Sequence, residues 1–173
     1  MILLISFLGC MFGTVIIVLV LLIVNNGFKH NESLRLVVEK EFSKAKSRNW
    51  NKIYIAVDFH DTIFKSSYNE NTKLIFLPYA KETLQYLSLR SDIILIGWSS
   101  ITQDIYLKNY KPIFDANEIK IQFFNCNPLE KNTAYADFSI KFYFNIVIDD
   151  KAGAIPKDWK IIKQTFENLP LLC

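Results

Sequence analysis

The chain has 173 residues, 51% of them hydrophobic, which suits one domain of ordinary size. The 20 Lys and Arg against 17 Asp and Glu leave a net charge of +3, which fits attraction to an anionic membrane surface and does not by itself argue for nucleic-acid binding. Cys10, Cys126 and Cys173 are few, odd in number and scattered, which excludes a disulfide framework and a cysteine metal site.

The first element is Met1 to Val24, which carries no charged residue. As a helix it would be about 36 Å long at ~1.5 Å per residue, and a bilayer's hydrocarbon region needs about 20 such residues. It is expected to be a single-pass transmembrane helix over residues 1–24. A cleaved signal peptide competes with this, but no Lys or Arg precedes the apolar run, and Val24-Asn25-Asn26-Gly27 is a poor cleavage site. Leu8-Gly9-Cys10 resembles a lipoprotein cleavage box, with too short an apolar stretch before it. Gly9 and Gly13 form a GxxxG pair that lets two such helices approach, pointing to a homodimer. Lys29, Arg35, Lys40, Lys44, Lys46 and Arg48 all follow the segment and none precedes it, which favours a cytoplasmic C-terminal part. On that side the sequon Asn31-Glu32-Ser33 would serve as a helix start.

Residues 25–49 read as a juxtamembrane linker. Within it Leu34, Val37, Val38, Phe42 and Ala45 recur at helical spacing, predicting an amphipathic helix packed on the domain that follows. That domain is expected over residues 50–173. Ile53 to Val57 is a β-type run that delivers Asp58 into a turn with His60, Asp61 and Thr62. Two carboxylates, an imidazole and a hydroxyl in five positions exceed what a turn needs. A carboxylate fixed at a strand end can attack phosphorus, provided a metal ion offsets the charges. A helix is predicted over Tyr79 to Leu89, then a strand from Ile93 ending at Ser99 and Ser100. A second helix is predicted from Thr102 to Tyr110, stopping before Pro112. Ile119 to Phe124 is a strand candidate, followed by the loop Asn125-Cys126-Asn127-Pro128. Phe144 to Ile148 is a further buried-strand pattern and ends in Asp149-Asp150; Pro156 to Asn168 closes the chain as a helix. Strands alternating with helices imply an α/β fold, a mostly parallel sheet covered on both faces, with ligands in the crevice at the strand ends.

Ile53 to Ile63 resembles motif I of the haloacid dehalogenase-like (HAD) superfamily, an apolar strand followed by Asp-x-Asp-x-Thr. The match puts Asp58 on the nucleophile and Thr62 on the motif threonine. Asp61 falls where Gly or Asp is frequent. His60 stands where phosphatases of the family place their second aspartate, the general acid and base. Ser99, with Ser100 as second choice, resembles the motif II hydroxyl that bonds the phosphoryl group. Asp149-Asp150 resembles the acidic motif IV. Lys141 is the choice for the motif III lysine, with Lys151 and Lys131 as the other candidates. Singly, these residues could be turn formers or helix caps; their order along the chain is what carries the resemblance, over about residues 50 to 173.

The resemblance implies a Rossmann-like three-layer sandwich and a Mg²⁺-dependent phosphatase working through an aspartyl-phosphate on Asp58. Mg²⁺ would be held by the Asp58 carboxylate, the His60 backbone carbonyl and Asp149 or Asp150. A small β-flap after motif I is implied within Phe64 to Pro78. The intervals between motifs leave no room for a large cap domain, so an open site and a large or protruding phosphorylated substrate are expected. Asn125, Asn127 and Tyr68 are candidates to line it. The capless layout, with Asp149 to Gly153 reading Asp-Asp-Lys-Ala-Gly, also resembles small phage-encoded members, which keeps a nucleotidase or nucleic-acid-end phosphatase as an alternative. A third reading is a membrane-tethered binding module that retains the fold with little or no turnover, since His60 replaces the aspartate.

Overall fold

The computed structural model describes residues 30–66 and 73–172. The expected transmembrane helix, its GxxxG pair and Tyr68 lie outside them. Among the described residues no helix is long and apolar enough to cross a membrane. The chain divides into Met1–Leu34 and Arg35–Cys173, and only the second is treated further. Within it, the part of helix α1 (residues 30–47) from Arg35 onward contributes to the core. Val38, Phe42 and Ala45 form its buried stripe, and the Phe42 ring meets Phe166 edge-on at 5.5 Å. Val37, expected on that stripe, is exposed. The helix closes through Asn49, whose positive φ of 54° lets the Trp50 N–H donate back to the Ala45 carbonyl at 2.9 Å.

The remaining elements are β1 (Ile53–Asp58), α2 (Ala80–Leu89), β2 (Ile93–Trp98), α3 (Gln103–Ile105), a π-helical turn (Tyr106–Tyr110), α4 (Lys111–Ala116), β3 (Ile121–Phe124), β4 (Ile146–Ile148), a 3₁₀ turn (Asp150–Ala152) and α5 (Asp158–Glu167). The four strands form one sheet in the order β3-β2-β1-β4, every pair parallel. This is the α/β arrangement expected, with β1 central and its polar end beside those of β2 and β4. The helical run continues past Pro112, against expectation. Lys111 N–H bonds to the Tyr106 carbonyl five residues back, and Pro112 then sits in the first turn of α4, where its missing N–H costs little.

The two faces of the sheet are covered differently. On one, Gly97 meets the ring of Phe59, which packs on Tyr106 and Tyr110 of the π turn and on Phe114 of α4. On the other, Tyr54, Ala56 and Ile96 are covered by Phe142, with Tyr143 and Phe144 alongside. These belong to an irregular segment, so this face of the sheet is covered by an aromatic loop. Gly97 has no room for a side chain, since a Cβ would stand 2.7 Å from Phe59 Cζ.

Just before the start of β2, Arg90 is a buried knot. Its Nε and Nη2 donate to the two oxygens of Asp92 at 2.9 and 2.7 Å, and its other N–H groups reach the carbonyls of Phe166, Leu169 and Pro170. Asp92 also accepts from Leu172 N–H at 3.0 Å. One planar guanidinium thus ties β2 to the end of α5 and the tail. Arg90→Ala leaves a buried carboxylate without its cation. We expect it to destabilise the fold by about 3–5 kcal/mol in urea unfolding, and Arg90→Lys, lacking the fork, to recover only part of that.

Candidate functional site

Asp58 is the last residue of β1, and the turn after it is fixed by its neighbours. Phe59 is fully buried in the space Gly97 leaves. The N–H groups of Ile63 and Phe64 both donate to the Phe59 carbonyl, at 3.0 and 2.8 Å, which curls the chain back. Asp61 completes the curl at φ 55°, a left-handed conformation that Gly and Asp tolerate better than most residues. Its carboxylate accepts from Ser66 N–H at 3.1 Å and from the Ser66 hydroxyl, bonds that hold it below the usual carboxylate range. Asp61 is therefore occupied in shaping the turn. Beyond it Phe64 and Phe76 form an antiparallel bridge, Lys65 N–H donates to the Ile75 carbonyl, and Leu77 N–H donates to the Ile63 carbonyl. That is a short antiparallel pairing, at the place where a flap was expected.

Thr62 points inward, 3% exposed, and couples two strand ends. Its hydroxyl donates to Asp58 Oδ2 at 3.3 Å and accepts from Asp150 N–H at 3.0 Å. Its carbonyl accepts from the Trp159 indole N–H at 2.8 Å, which braces the turn against α5. Across from Asp58, Asp149 ends the β4 run and caps the 3₁₀ turn by accepting from Lys151 N–H at 2.7 Å. Gly153 then ends that turn at φ 97°, a value that favours glycine.

These turns converge on a cleft of about 850 Å³. Asp58, Asp149 and Asp150 offer carboxylate oxygens that all lie within 4.8 Å of one another, each residue half-buried. Burial raises the Asp58 pKa, and the Asp149 charge adds to the rise; the Phe59 N–H, the Thr62 hydroxyl and His60 oppose it. Three oxygen donors at this separation suit a hard divalent cation, which removes the repulsion among them. Ser99 and Ser100 line the same cleft. Ser99 Oγ is buried and has no hydrogen-bond partner, whereas its backbone is held on both sides by Asn125: Ser99 N–H donates to Asn125 Oδ1 at 2.9 Å and Asn125 Nδ2 donates to the Ser99 carbonyl at 2.6 Å. A buried hydroxyl with an open valence in an acidic cleft is a ready donor to an incoming anion.

His60 also lines the cleft, with Nε2 hydrogen-bonded to the Tyr110 hydroxyl at 2.8 Å. Tyr110 is buried, its ring stacked on Phe59 at 5.2 Å, and burial together with Asp58 raises its pKa. Sequence reasoning missed Tyr110, since nothing local marks a tyrosine 50 residues away as the partner of His60.

Lys141 and Asn127 do not line this cleft. Lys141 is exposed and does not line the cleft, because the adjacent Phe142 turns its ring onto the sheet and leaves Lys141 facing solvent. Lys151 lines the cleft instead, paired with the Asp150 carboxylate, which raises its pKa. Asn127 lines an adjoining hollow of about 320 Å³ and also braces its loop: its Nδ2 donates to the Tyr143 carbonyl at 2.9 Å and its Oδ1 accepts from Leu129 N–H at 3.2 Å. Asn125 does line the cleft, though its amide is largely spent on Ser99.

Comparison of the chain with protein-family models, with curated proteins and with solved structures gives no match.

A carboxyl whose folded pKa lies above its free value of 3.8 binds more protons folded than unfolded. Stability therefore falls as pH rises through that window and stays lower above it. In the presence of a chelator at pH 7, Asp58→Asn should raise Tm, with the gain fading below about pH 4 as the wild-type carboxyl protonates. Adding a divalent cation should raise the wild-type Tm and not that of the variant, read by thermal unfolding.

Proposed function

We propose that this chain is a Mg²⁺-dependent phosphatase of the HAD-like type, hydrolysing phosphate monoesters through an aspartyl-phosphate on Asp58. The observation that carries the reading is the meeting of Asp58, Asp149 and Asp150 with a buried, unpartnered Ser99 hydroxyl in one cleft. The three carboxylates, with the His60 backbone carbonyl, are the proposed ligands of Mg²⁺, which when bound offsets the charge of nucleophile and phosphate. Thr62 and the Phe59 N–H hold the Asp58 carboxylate in place for attack by one of its oxygens. The Asp58 oxygen forms a bond to phosphorus as the ester P–O bond breaks, and His60 gives a proton to the leaving oxygen. The same imidazole then takes a proton from water as water attacks phosphorus and releases Asp58. Ser99 Oγ donates to a phosphoryl oxygen, and Lys151 supplies the positive charge first sought in Lys141. Tyr110 holds His60 Nε2 in orientation. The apolar run Met1–Val24 is proposed to anchor this domain at the cytoplasmic face of a membrane.

Full-length protein purified in detergent should release phosphate from a generic aryl phosphate with Mg²⁺, and Asp58→Asn should abolish release. Equal rates in the two proteins would sink the reading. Cation binding without release over a broad panel would leave the inactive binding module. His60→Ala is expected to lower kcat by roughly 10²–10⁴. The lysine assignment is tested by pairing Lys151→Ala with Lys141→Ala in the same assay: the first should be slowed by about 10² or more, the usual scale for a preorganised electrostatic group, and the second should match wild type.

A further inference from the structure

Trp98 is the last residue of β2 and stands in register with Asp58 on β1. Paired residues of neighbouring parallel strands send their side chains to the same face, on backbones roughly 4.8 Å apart. The indole is therefore an immediate neighbour of the Asp58 carboxylate. It is 41% exposed, although it is among the largest apolar side chains near the sheet. Its orientation is fixed by Phe142, whose ring lies at 5.3 Å and 64° to it and is itself packed on Tyr54, Ala56 and Ile96.

A single exposed tryptophan is ordinary. What sets this one apart is that it forms part of the wall of two hollows. One is the cleft that holds the carboxylates. The other, of about 320 Å³, adjoins it and is lined among others by Cys126, Ser139, Ile140 and Phe142; among the described residues only Trp98 and Asn125 belong to both. A phosphoryl group held between Asp58 and Ser99 leaves its ester substituent to be placed by the remaining walls, and one of those is an indole. Glycerol draws little from such a surface, whereas a nucleobase or aryl ring stacks on it, typically for ten-fold or more in affinity.

Resting on the phosphatase reading above, we propose that Trp98 is a stacking platform for the leaving group, with the second hollow receiving its far side. The substrates are then phosphate monoesters carrying a planar ring, a nucleoside monophosphate or an aryl phosphate, in preference to alkyl phosphates such as glycerol 3-phosphate.

The test compares a nucleoside 5′-monophosphate, phenyl phosphate and glycerol 3-phosphate on full-length wild type, Trp98→Phe, Trp98→Leu and Trp98→Ala. In wild type, kcat/KM should favour the ring-bearing compounds by roughly ten-fold or more over glycerol 3-phosphate. That ratio should survive in Trp98→Phe, which keeps a ring, and collapse towards unity in Trp98→Leu and Trp98→Ala. Trp98→Leu keeps apolar bulk, so the comparison with Trp98→Phe stands even if Trp98→Ala fails to fold. A nucleotide preference without one for phenyl phosphate identifies the base as the ring bound, and the converse identifies an aryl leaving group. Equilibrium binding of the same three compounds to Asp58→Asn separates this inference from the one it rests on. Ring-selective, Trp98-dependent binding with no turnover by wild type overturns the phosphatase reading and keeps the platform. Turnover with equal kcat/KM for all three, unaffected by Trp98→Leu, keeps the phosphatase and overturns the platform.

Discussion

Three carboxylates, Asp58, Asp149 and Asp150, bring their oxygens within 4.8 Å of one another at the ends of two hydrogen-bonded strands. Like charges so close repel, and partial burial removes the water that would screen them. Much of the surrounding structure answers to this arrangement. The Thr62 hydroxyl spans from Asp58 to the backbone of Asp150, the Lys151 ammonium pairs with Asp150, and the Asp58 carboxyl is driven above its ordinary pKa. A fold shaped for stability alone would place such groups in solvent. Their convergence fits a cleft adapted to bind cation and anion together.

The strain of that arrangement is borne by apolar packing just beneath it. Phe59 follows Asp58 directly and is locked among Tyr106, Tyr110, Phe114 and Phe124, with Gly97 vacating the space its ring needs. The turn cannot relax without moving this cluster, so the carboxylate's position is set by rings that touch no substrate. The π turn serves the same end, since the extra residue it inserts brings both Tyr106 and Tyr110 onto Phe59 and Tyr110 within reach of His60. Farther away the Arg90–Asp92 knot and the indole of Trp159 bind α5 to the sheet and to the turn. The proposed chemistry thus sits on a packed apolar base, and the unpartnered Ser99 hydroxyl belongs to the cleft.

The elements carrying a local signature were legible from the chain. Ile53 to Asp58 and Ile93 to Trp98 are apolar runs closed by polar residues, and both are strands in the central pair of the sheet. Asp149 and Asp150 were legible for the same reason. The helix over residues 34–45 was readable from its spacing, though Val37 was not, because a period of 3.6 residues fixes a stripe but not its edge. Pro112 misled, since the rule that a helix ends before proline holds for an unbroken α-helix and not after a π turn.

Residue order determined the α/β alternation and the polar groups waiting at the strand ends, because periodicity and turn chemistry act over a few neighbouring positions. Tertiary structure alone decided that Lys151 and not Lys141 faces the carboxylates, that Tyr110 meets His60, that Asn127 braces a loop while Asn125 clamps Ser99, and that Trp98 stands beside Asp58. Those outcomes depend on strand register and on the competition of neighbouring side chains for the buried face. Both are settled by contacts between residues far apart in the chain, where local pattern carries no information.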